Sequence, residues 1–132
     1  MDIRFAEAGD RNRLIELYDA CFPGEHEYAE YFFDSFWKPE RTLTAIEDGS
    51  IVSMVHMLKT SMKRDGKRMD AMYIYAAATF QEYRGRGIMG KLLKRAEELA
   101  IEWGEHLILL ITENESLFKF YKRFGYEPSF CV

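Results

Sequence analysis

Three stretches of the chain place their hydrophobic residues at helical spacing. The first begins after Asp10 and carries apolar residues at positions 14, 15, 17, 18 and 21. The second covers residues 25–37 and stops before Pro39, because a residue that precedes proline avoids helical backbone angles. The third covers residues 88–103 and has one apolar and one charged face. The pattern therefore predicts three helices in this part of the chain.

Apolar runs of strand length separate these helices. Residues 42–46 and 51–58 flank a turn signal, and a second turn signal at residues 64–67 leads into the run 69–79. Shorter runs predict strands at residues 3–6, 106–111 and 126–132, and Asn114 is a typical start for a fourth helix. The order β α α β β β α β α β predicts an α/β (α+β) fold. We expect a mixed, mostly antiparallel six-stranded sheet flanked by about four helices, with one β-α-β crossover.

Length and composition predict one domain over residues 1–132. The chain has 132 residues, 48% of them hydrophobic, which is enough for an ordinary apolar core. Its two cysteines lie far apart, and its three histidines do not have the spacing of metal ligands, so we expect no disulfide framework and no metal. The longest stretch without charge, residues 71–81, is too short for a membrane span. We expect a cytoplasmic protein that does not bind a membrane.

Charge is distributed unevenly along the chain. The formal net charge is −4, which argues weakly against nucleic acid as a partner. Residues 1–50 carry five basic and twelve acidic side chains, whereas residues 51–132 carry thirteen basic and ten acidic ones. Residues 14–37 hold six carboxylates, no Lys or Arg, and many aromatic rings. Either the aromatic residues are core and the carboxylates solvated, or the segment forms a wall that attracts a cationic amine.

A glycine-rich turn lies between the predicted strand 69–79 and the third helix. Such a turn points free backbone N–H groups and the positive end of a helix dipole at an anion, and Arg84 and Arg86 add positive charge. The spacing Gly85-x-Gly87-x-x-Gly90 also satisfies a dinucleotide-binding pattern. That pattern belongs to the first strand–helix unit of its fold, whereas here four predicted strands precede the turn. A P-loop is excluded because the chain has no Gly-Lys-Ser/Thr. The turn therefore predicts another kind of phosphate-binding site.

Two motifs resemble those of the GNAT acetyltransferase superfamily. The run Tyr83-Arg84-Gly85-Arg86-Gly87-Ile88 is similar to its acetyl-CoA pyrophosphate motif, Gln/Arg-x-x-Gly-x-Gly/Ala. The second motif consists of an Asn that opens the last helix, then Phe-Tyr, then Phe-Gly-Tyr; its residues are Asn114, Phe120, Tyr121, Phe124, Gly125 and Tyr126. The predicted element order agrees with the family over nearly the whole chain. One departure is Met89, which stands where the first motif usually ends in Gly or Ala.

The resemblance implies a site for acetyl-CoA as the co-substrate. The family's strand bulges at the position of Ala77 and splays from the next strand, and the backbone of Ala77, Ala78 and Thr79 pairs with the pantetheine arm. The amides from Arg84 to Gly90 hold the pyrophosphate. The cofactor-binding residues expected on this basis are Ala77, Ala78, Thr79, Arg84, Gly85, Arg86, Gly87, Ile88, Met89, Gly90 and Asn114.

The resemblance also implies the reaction. An acetyl group passes from acetyl-CoA to a primary amine by direct attack, without a covalent enzyme intermediate, and Tyr121 matches the tyrosine that protonates the departing thiolate. The general base is left open among His56, Glu25, His26 and Glu27. We expect a small-molecule or peptide amine, cationic in character, as the acceptor. The alternative function is a noncatalytic acyl-CoA-binding or regulatory domain that kept the phosphate site.

After Gly125 only seven residues remain, which fit one strand where GNAT domains usually have two. The chain also resembles the longer, Eis-like members of the superfamily, in which further domains follow. We therefore expect a natural short form or a fragment that lacks the last strand or a downstream domain. The exposed edge of the terminal strand predicts a homodimer that covers it.

Overall fold

The computed structural model describes residues 1–110, which form a mixed five-stranded sheet and three α-helices. The sheet follows chain order, β1-β2-β3-β4-β5; its first four strands are antiparallel, and β5 runs parallel to β4. The strands are β1 Asp2–Phe5, β2 Thr42–Glu47, β3 Ser50–Arg64, β4 Lys67–Thr79 and β5 Leu107–Leu110, and the helices are α1 Arg11–Cys21, α2 His26–Ser35 and α3 Ile88–Glu102.

Two tight turns join the central strands. Asp48 and Gly49 connect β2 to β3, and Asp65 and Gly66 connect β3 to β4, with positive φ at all four residues. Two consecutive residues with positive φ match the twist of an antiparallel hairpin, and Asp-Gly is a favoured pair for this turn. Both turns lie where the sequence predicts them.

The helices cover opposite faces of the sheet. The apolar stripe of α3, which includes Leu92, Leu93 and Ala96, packs on Val55 and Met72 from the sheet. On the other face, α1 and α2 form a second core with side chains of β3 and β4; its buried members include Leu14, Leu17, Tyr18, Phe32, Phe33, Met54 and Ala78. Both faces of β3 and β4 are therefore buried near the middle of the sheet.

The α+β architecture confirms the predicted fold class. Residues 1–110 contain five strands and three helices, whereas six strands and about four helices were expected for the whole chain. The difference concerns the predicted helix that opens at Asn114 and the predicted strand 126–132, which both lie outside the described residues. Strand β3 is longer than predicted, because the hairpin continues to the Asp65-Gly66 turn. No helix within residues 1–110 is long and apolar enough to cross a membrane.

Candidate cofactor and acceptor site

Strand β4 bulges near its carboxyl end. The register pairs Met54 with Ala78 but His56 with Tyr75, so that Val55 alone faces two residues of β4. One of these, Ala76, has φ 48°, in the left-handed region that costs a residue with a Cβ about 1–2 kcal/mol. The structure therefore confirms the bulge that the family resemblance implies at the small-residue run.

Helix α1 holds the end of β4 through polar contacts. The Tyr18 and Tyr75 hydroxyl oxygens lie 3.0 Å apart, just before the bulge. Two residues beyond the bulge, the Thr79 carbonyl accepts from the Cys21 thiol at 3.4 Å and from Arg84 Nε at 2.9 Å. These contacts fix the backbone from which the glycine-rich turn departs.

The strand end is also held from β3. The hydroxyl groups of Ser53 and Thr79 lie 2.8 Å apart, and Ser53 donates to the Ala78 carbonyl at 2.9 Å. Since Ser53 has a single hydroxyl proton, Thr79 donates to Ser53 in this arrangement. Two of the three residues predicted to pair with pantetheine, Ala78 and Thr79, are thus fixed by β3 and α1. Ala77, the third, lies within the bulge.

The glycine-rich turn presents unpartnered backbone amides. Gly85 and Gly87 have φ of 80° and 77°, and a Cβ added at either would meet nothing within 4 Å. Their need for glycine is therefore conformational, and the space beside them is open. Within residues 1–110, the amides from Gly85 to Gly90 have no acceptor, whereas the Arg84 amide already donates to Gln81 at 3.2 Å. The first turn of α3 carries no acidic residue, so its positive dipole end is not neutralised there.

The two arginines of the turn differ in their contacts. Arg84 reaches back toward α1, with Nη2 lying 3.4 Å from the Cys21 sulfur. Arg86 lies over the Tyr83 ring at 5.0 Å and donates to the Glu82 carbonyl at 3.1 Å. Both side chains are exposed. Arg84 thus stabilises the turn itself, and both guanidinium groups supply positive charge beside the free amides.

His56 is unsuited to act as the general base. Its ring is fully buried against the rings of Phe32 and Phe33, with centroid distances of 5.0 and 5.7 Å. Nδ1 lies 3.2 Å from the Thr42 hydroxyl, and burial lowers the pKa of His56 to about 3. The ring is therefore neutral at physiological pH and does not reach a solvent-facing slot. The lone strand histidine is a packed residue.

His26 is held by carboxylates on both sides. Nδ1 lies 2.8 Å from Asp19, and Nε2 lies 3.0 Å from Glu30. The hydrogen bond to Asp19, followed by that to Glu30, raises the pKa of His26 above its usual value. Because both ring nitrogens donate in the protonated form, this ring has no free lone pair to accept a proton from an amine.

The acidic and aromatic segment 14–37 is divided between core and surface. Phe32 and Phe33 are buried, whereas three large side chains of the segment are exposed: Tyr28, Tyr31 and Phe36. Arg11 forms an ion pair with Asp34 and Arg13 with Glu16, so basic residues just outside the segment neutralise part of its charge. Each of the two interpretations raised by the sequence thus describes a part of this segment.

Two predicted site residues, Asn114 and Tyr121, lie outside the described part of the chain.

The sequence analysis did not identify the Tyr18–Tyr75 pair. A signal was present, since Tyr73 and Tyr75 share one face of the strand that leads into the small-residue run. No group of three or more His, Cys, Asp or Glu side chains in residues 1–110 is arranged to hold a metal ion.

Solved structures with the same fold include acetyltransferases with different acceptors. An aminoglycoside antibiotic 6′-N-acetyltransferase from Acinetobacter haemolyticus is 13% identical (TM-score 0.80), with 100% of this chain and 94% of that chain covered. A ribosomal-protein-alanine N-acetyltransferase from Brucella melitensis biovar Abortus 2308 is 19% identical (TM-score 0.77), with coverage of 100% and 96%. A predicted acetyltransferase from Clostridium acetobutylicum, solved with acetyl-CoA, is 18% identical (TM-score 0.78), with coverage of 97% and 90%.

At these identities the structural matches establish the fold alone. No curated protein sequence gives a significant match. A family model described as an acetyltransferase (GNAT) domain matches residues 2–129, which is nearly the whole chain. The chain therefore belongs to the GNAT acetyltransferase family.

Proposed function

We propose that this protein is an acetyl-CoA-dependent N-acetyltransferase that acts on a primary amine. The observation that carries the proposal is the run of amides from Gly85 to Gly90, which have no acceptor within residues 1–110 and lie at the start of α3, a few residues after the bulged end of β4. Several amides without acceptors at the start of a helix, together with the helix dipole, suit a pyrophosphate. Arg84 and Arg86 add positive charge, and the predicted acetyltransferase of the same fold from Clostridium acetobutylicum was solved with acetyl-CoA.

The residues proposed to hold acetyl-CoA form two groups. The amides from Gly85 to Gly90 bind the pyrophosphate, and the Arg84 side chain supports the turn through Thr79. The backbone of Ala77, Ala78 and Thr79 pairs with the pantetheine arm, and Asn114 completes the site. When bound, acetyl-CoA supplies an activated acetyl group as a thioester.

The proposed reaction is direct attack of a neutral amine on the thioester carbonyl. The carbon–nitrogen bond forms and the carbon–sulfur bond breaks. The amine nitrogen loses one proton through the unassigned base to solvent, while Tyr121 gives its proton to the departing thiolate and regains one from solvent. Removal of this donor in Tyr121→Phe should lower kcat by about 10²–10⁴-fold, with acetyl-CoA affinity unchanged. A Phe variant as active as the wild type would assign thiolate protonation to water or to another group.

A cationic amine is the proposed acceptor. Helices α1 and α2, which carry carboxylates and the exposed rings of Tyr28 and Tyr31, cover the face of the sheet on which Tyr75 lies. Coulomb attraction and cation–π contacts would both favour a cation there. Higher ionic strength should therefore raise the acceptor KM by screening this attraction. A neutral or acidic amine as the best acceptor, with a KM insensitive to salt, would contradict this part of the proposal.

The central experiment combines binding with turnover. Calorimetry measures acetyl-CoA affinity, and a thiol assay measures CoA release with polyamines, an aminoglycoside, free amino acids and peptides bearing a free N-terminus or lysine. Binding together with amine-dependent CoA release supports the transferase. Binding without release for any amine supports a noncatalytic acyl-CoA-binding domain. Absence of acetyl-CoA binding would overturn both functions.

A further inference from the structure

Tyr75 occupies a distinctive position on β4. It is the last residue before the two that form the bulge, and Ala77 follows it by two positions. Its ring packs against Phe32 with a centroid distance of 4.7 Å, which fixes its orientation from α2. The residue is only partly buried. A partly buried tyrosine thus lies next to the backbone proposed to bind the pantetheine arm.

The Tyr75 hydroxyl is oriented by a buried neighbour. Tyr18 is 4% exposed, and its hydroxyl has Tyr75 as its only hydrogen-bond partner within residues 1–110, at 3.0 Å. A tyrosine hydroxyl has one proton and two acceptor positions. Either hydroxyl can donate in this pair. In both arrangements Tyr75 retains at least one acceptor position.

The remaining hydrogen-bonding capacity of Tyr75 has no partner among the described residues. A hydroxyl that is held in place and incompletely satisfied, on a side chain that is only partly buried, is suited to receive a polar group of a ligand. The same face carries α1 and α2 with their carboxylates and exposed aromatic rings. The nearest ligand group expected here is the acceptor amine.

We propose that Tyr75 binds the acceptor amine beside the acetyl group by accepting an N–H hydrogen bond, and that Tyr18 is the positioning residue that orients the Tyr75 hydroxyl. This inference rests on the proposed transferase function and names an acceptor-binding residue for it. The amine proton stays on nitrogen in this contact, so the pair orients the nucleophile and leaves the base of the reaction unassigned.

The test compares four variants: Tyr75→Phe, Tyr18→Phe, the double variant and Tyr73→Phe. All four retain the aromatic rings and remove only hydroxyl groups. Tyr73 is the matched control, because its ring lies 6.4 Å from that of Tyr75 on the same strand and its hydroxyl forms no hydrogen bond within residues 1–110. Steady-state CoA release gives kcat and the acceptor KM, calorimetry gives acetyl-CoA affinity, and thermal unfolding verifies that each variant folds.

Loss of one neutral hydrogen bond should raise the acceptor KM of Tyr75→Phe by roughly 3- to 10-fold, with unchanged acetyl-CoA affinity. Tyr18→Phe should raise KM by a smaller factor. The double variant should be no worse than Tyr75→Phe, because Tyr18 acts only through Tyr75. The control Tyr73→Phe should match the wild type.

Three results would overturn the inference while leaving the transferase intact: a Tyr75→Phe variant that matches Tyr73→Phe, effects of the two substitutions that simply add, or a loss of acetyl-CoA affinity equal to the change in KM. The last result would show that the pair serves only to hold the bulge. A wild-type protein that binds no acetyl-CoA, or that binds it and releases no CoA with any amine, would overturn the proposed function and this inference together.

Discussion

The two ends of β4 are built differently. At its carboxyl end, the strand is covered by α1, paired with β3, and tied by side chains at Tyr75 and Thr79. At its start, residues 67–69 pair only with residues 62–64 of β3 among the residues described, and form a hairpin arm, defined as residues 62–69. The β3–β4 hairpin thus combines a packed end with an arm held mainly by its own pairing and its turn.

The packed carboxyl end of β4 contains an unfavourable backbone conformation, whereas the hairpin arm contains none. Ala76 adopts φ 48°, which its surroundings must stabilise, because an isolated alanine avoids this region. In the arm, the residues with positive φ are Asp65 and Gly66, types that tolerate it at low cost. Unusual geometry at the packed end therefore depends on tertiary contacts, whereas geometry in the arm is set locally.

The largest expected effect contrasts a glycine from each region. Gly87 and Gly66 have nearly the same φ, 77° and 76°, so a substitution introduces similar strain at both. Gly87→Glu should weaken acetyl-CoA binding by about 100-fold or more, because a carboxylate at the start of α3 repels the pyrophosphate and at least two charge-assisted hydrogen bonds are lost. The Gly66→Glu variant should bind acetyl-CoA with the affinity of the wild type. If calorimetry gives the same acetyl-CoA affinity for both variants, the pyrophosphate does not bind at this turn.

The second prediction concerns the pH dependence that the packed end imposes on stability. His56 is neutral when folded, with a pKa of about 3, whereas an unfolded histidine has a pKa near 6.5. Below pH 6.5 the unfolded chain binds the extra proton, so the free energy of unfolding falls as pH decreases toward 3. The expected loss from pH 6.5 to 4 is roughly 3 kcal/mol.

Urea unfolding between pH 7 and 4 measures this slope. The His56→Gln variant retains a group that can form a hydrogen bond with Thr42. It should make the free energy of unfolding less dependent on pH, even if it lowers stability at pH 7. His26→Gln is the control of opposite sign, because the pKa of His26 is raised and its folded charge stabilises the protein at low pH. An equally steep profile in His56→Gln would show that other groups cause the loss.

These two regions also differ in how far the sequence predicts them. The Asp-Gly turns and the glycine-rich turn are predicted because the requirement for positive φ is local. The position of the bulge follows only from the family resemblance, since no residue type at Ala76 demands it. The Tyr18–Tyr75 contact joins residues 57 apart and depends on how α1 packs on β4. Likewise, the strand pattern does not reveal that α2 covers His56 completely.

The third prediction tests whether the packed end stores backbone strain. Ala76→Gly relieves the left-handed strain of about 1–2 kcal/mol while adding unfolded-state entropy of about 0.5–1 kcal/mol. The variant should therefore be at least as stable as the wild type. Ala71→Gly is the matched control on the same strand, because Ala71 is fully buried in ordinary strand geometry opposite Thr60. It should lose about 1–2 kcal/mol of unfolding free energy from lost methyl burial and entropy. A similar loss in both variants would mean that Ala76 is not strained.

The smallest effect is expected in the arm. Lys63 and Arg68 lie directly opposite each other on β3 and β4, and both side chains are exposed. Like charges in this arrangement repel, and opposite charges attract, by about 0.2–1 kcal/mol. Lys63→Glu should therefore stabilise the protein by about 0.5 kcal/mol at low salt, with the gain reduced at high salt. Lys59→Glu, opposite the apolar Met72, provides the control and should change stability less. Chemical unfolding at two salt concentrations measures both variants. If Lys63→Glu is no more stable than Lys59→Glu at low salt, cross-strand charge does not contribute to the stability of the arm.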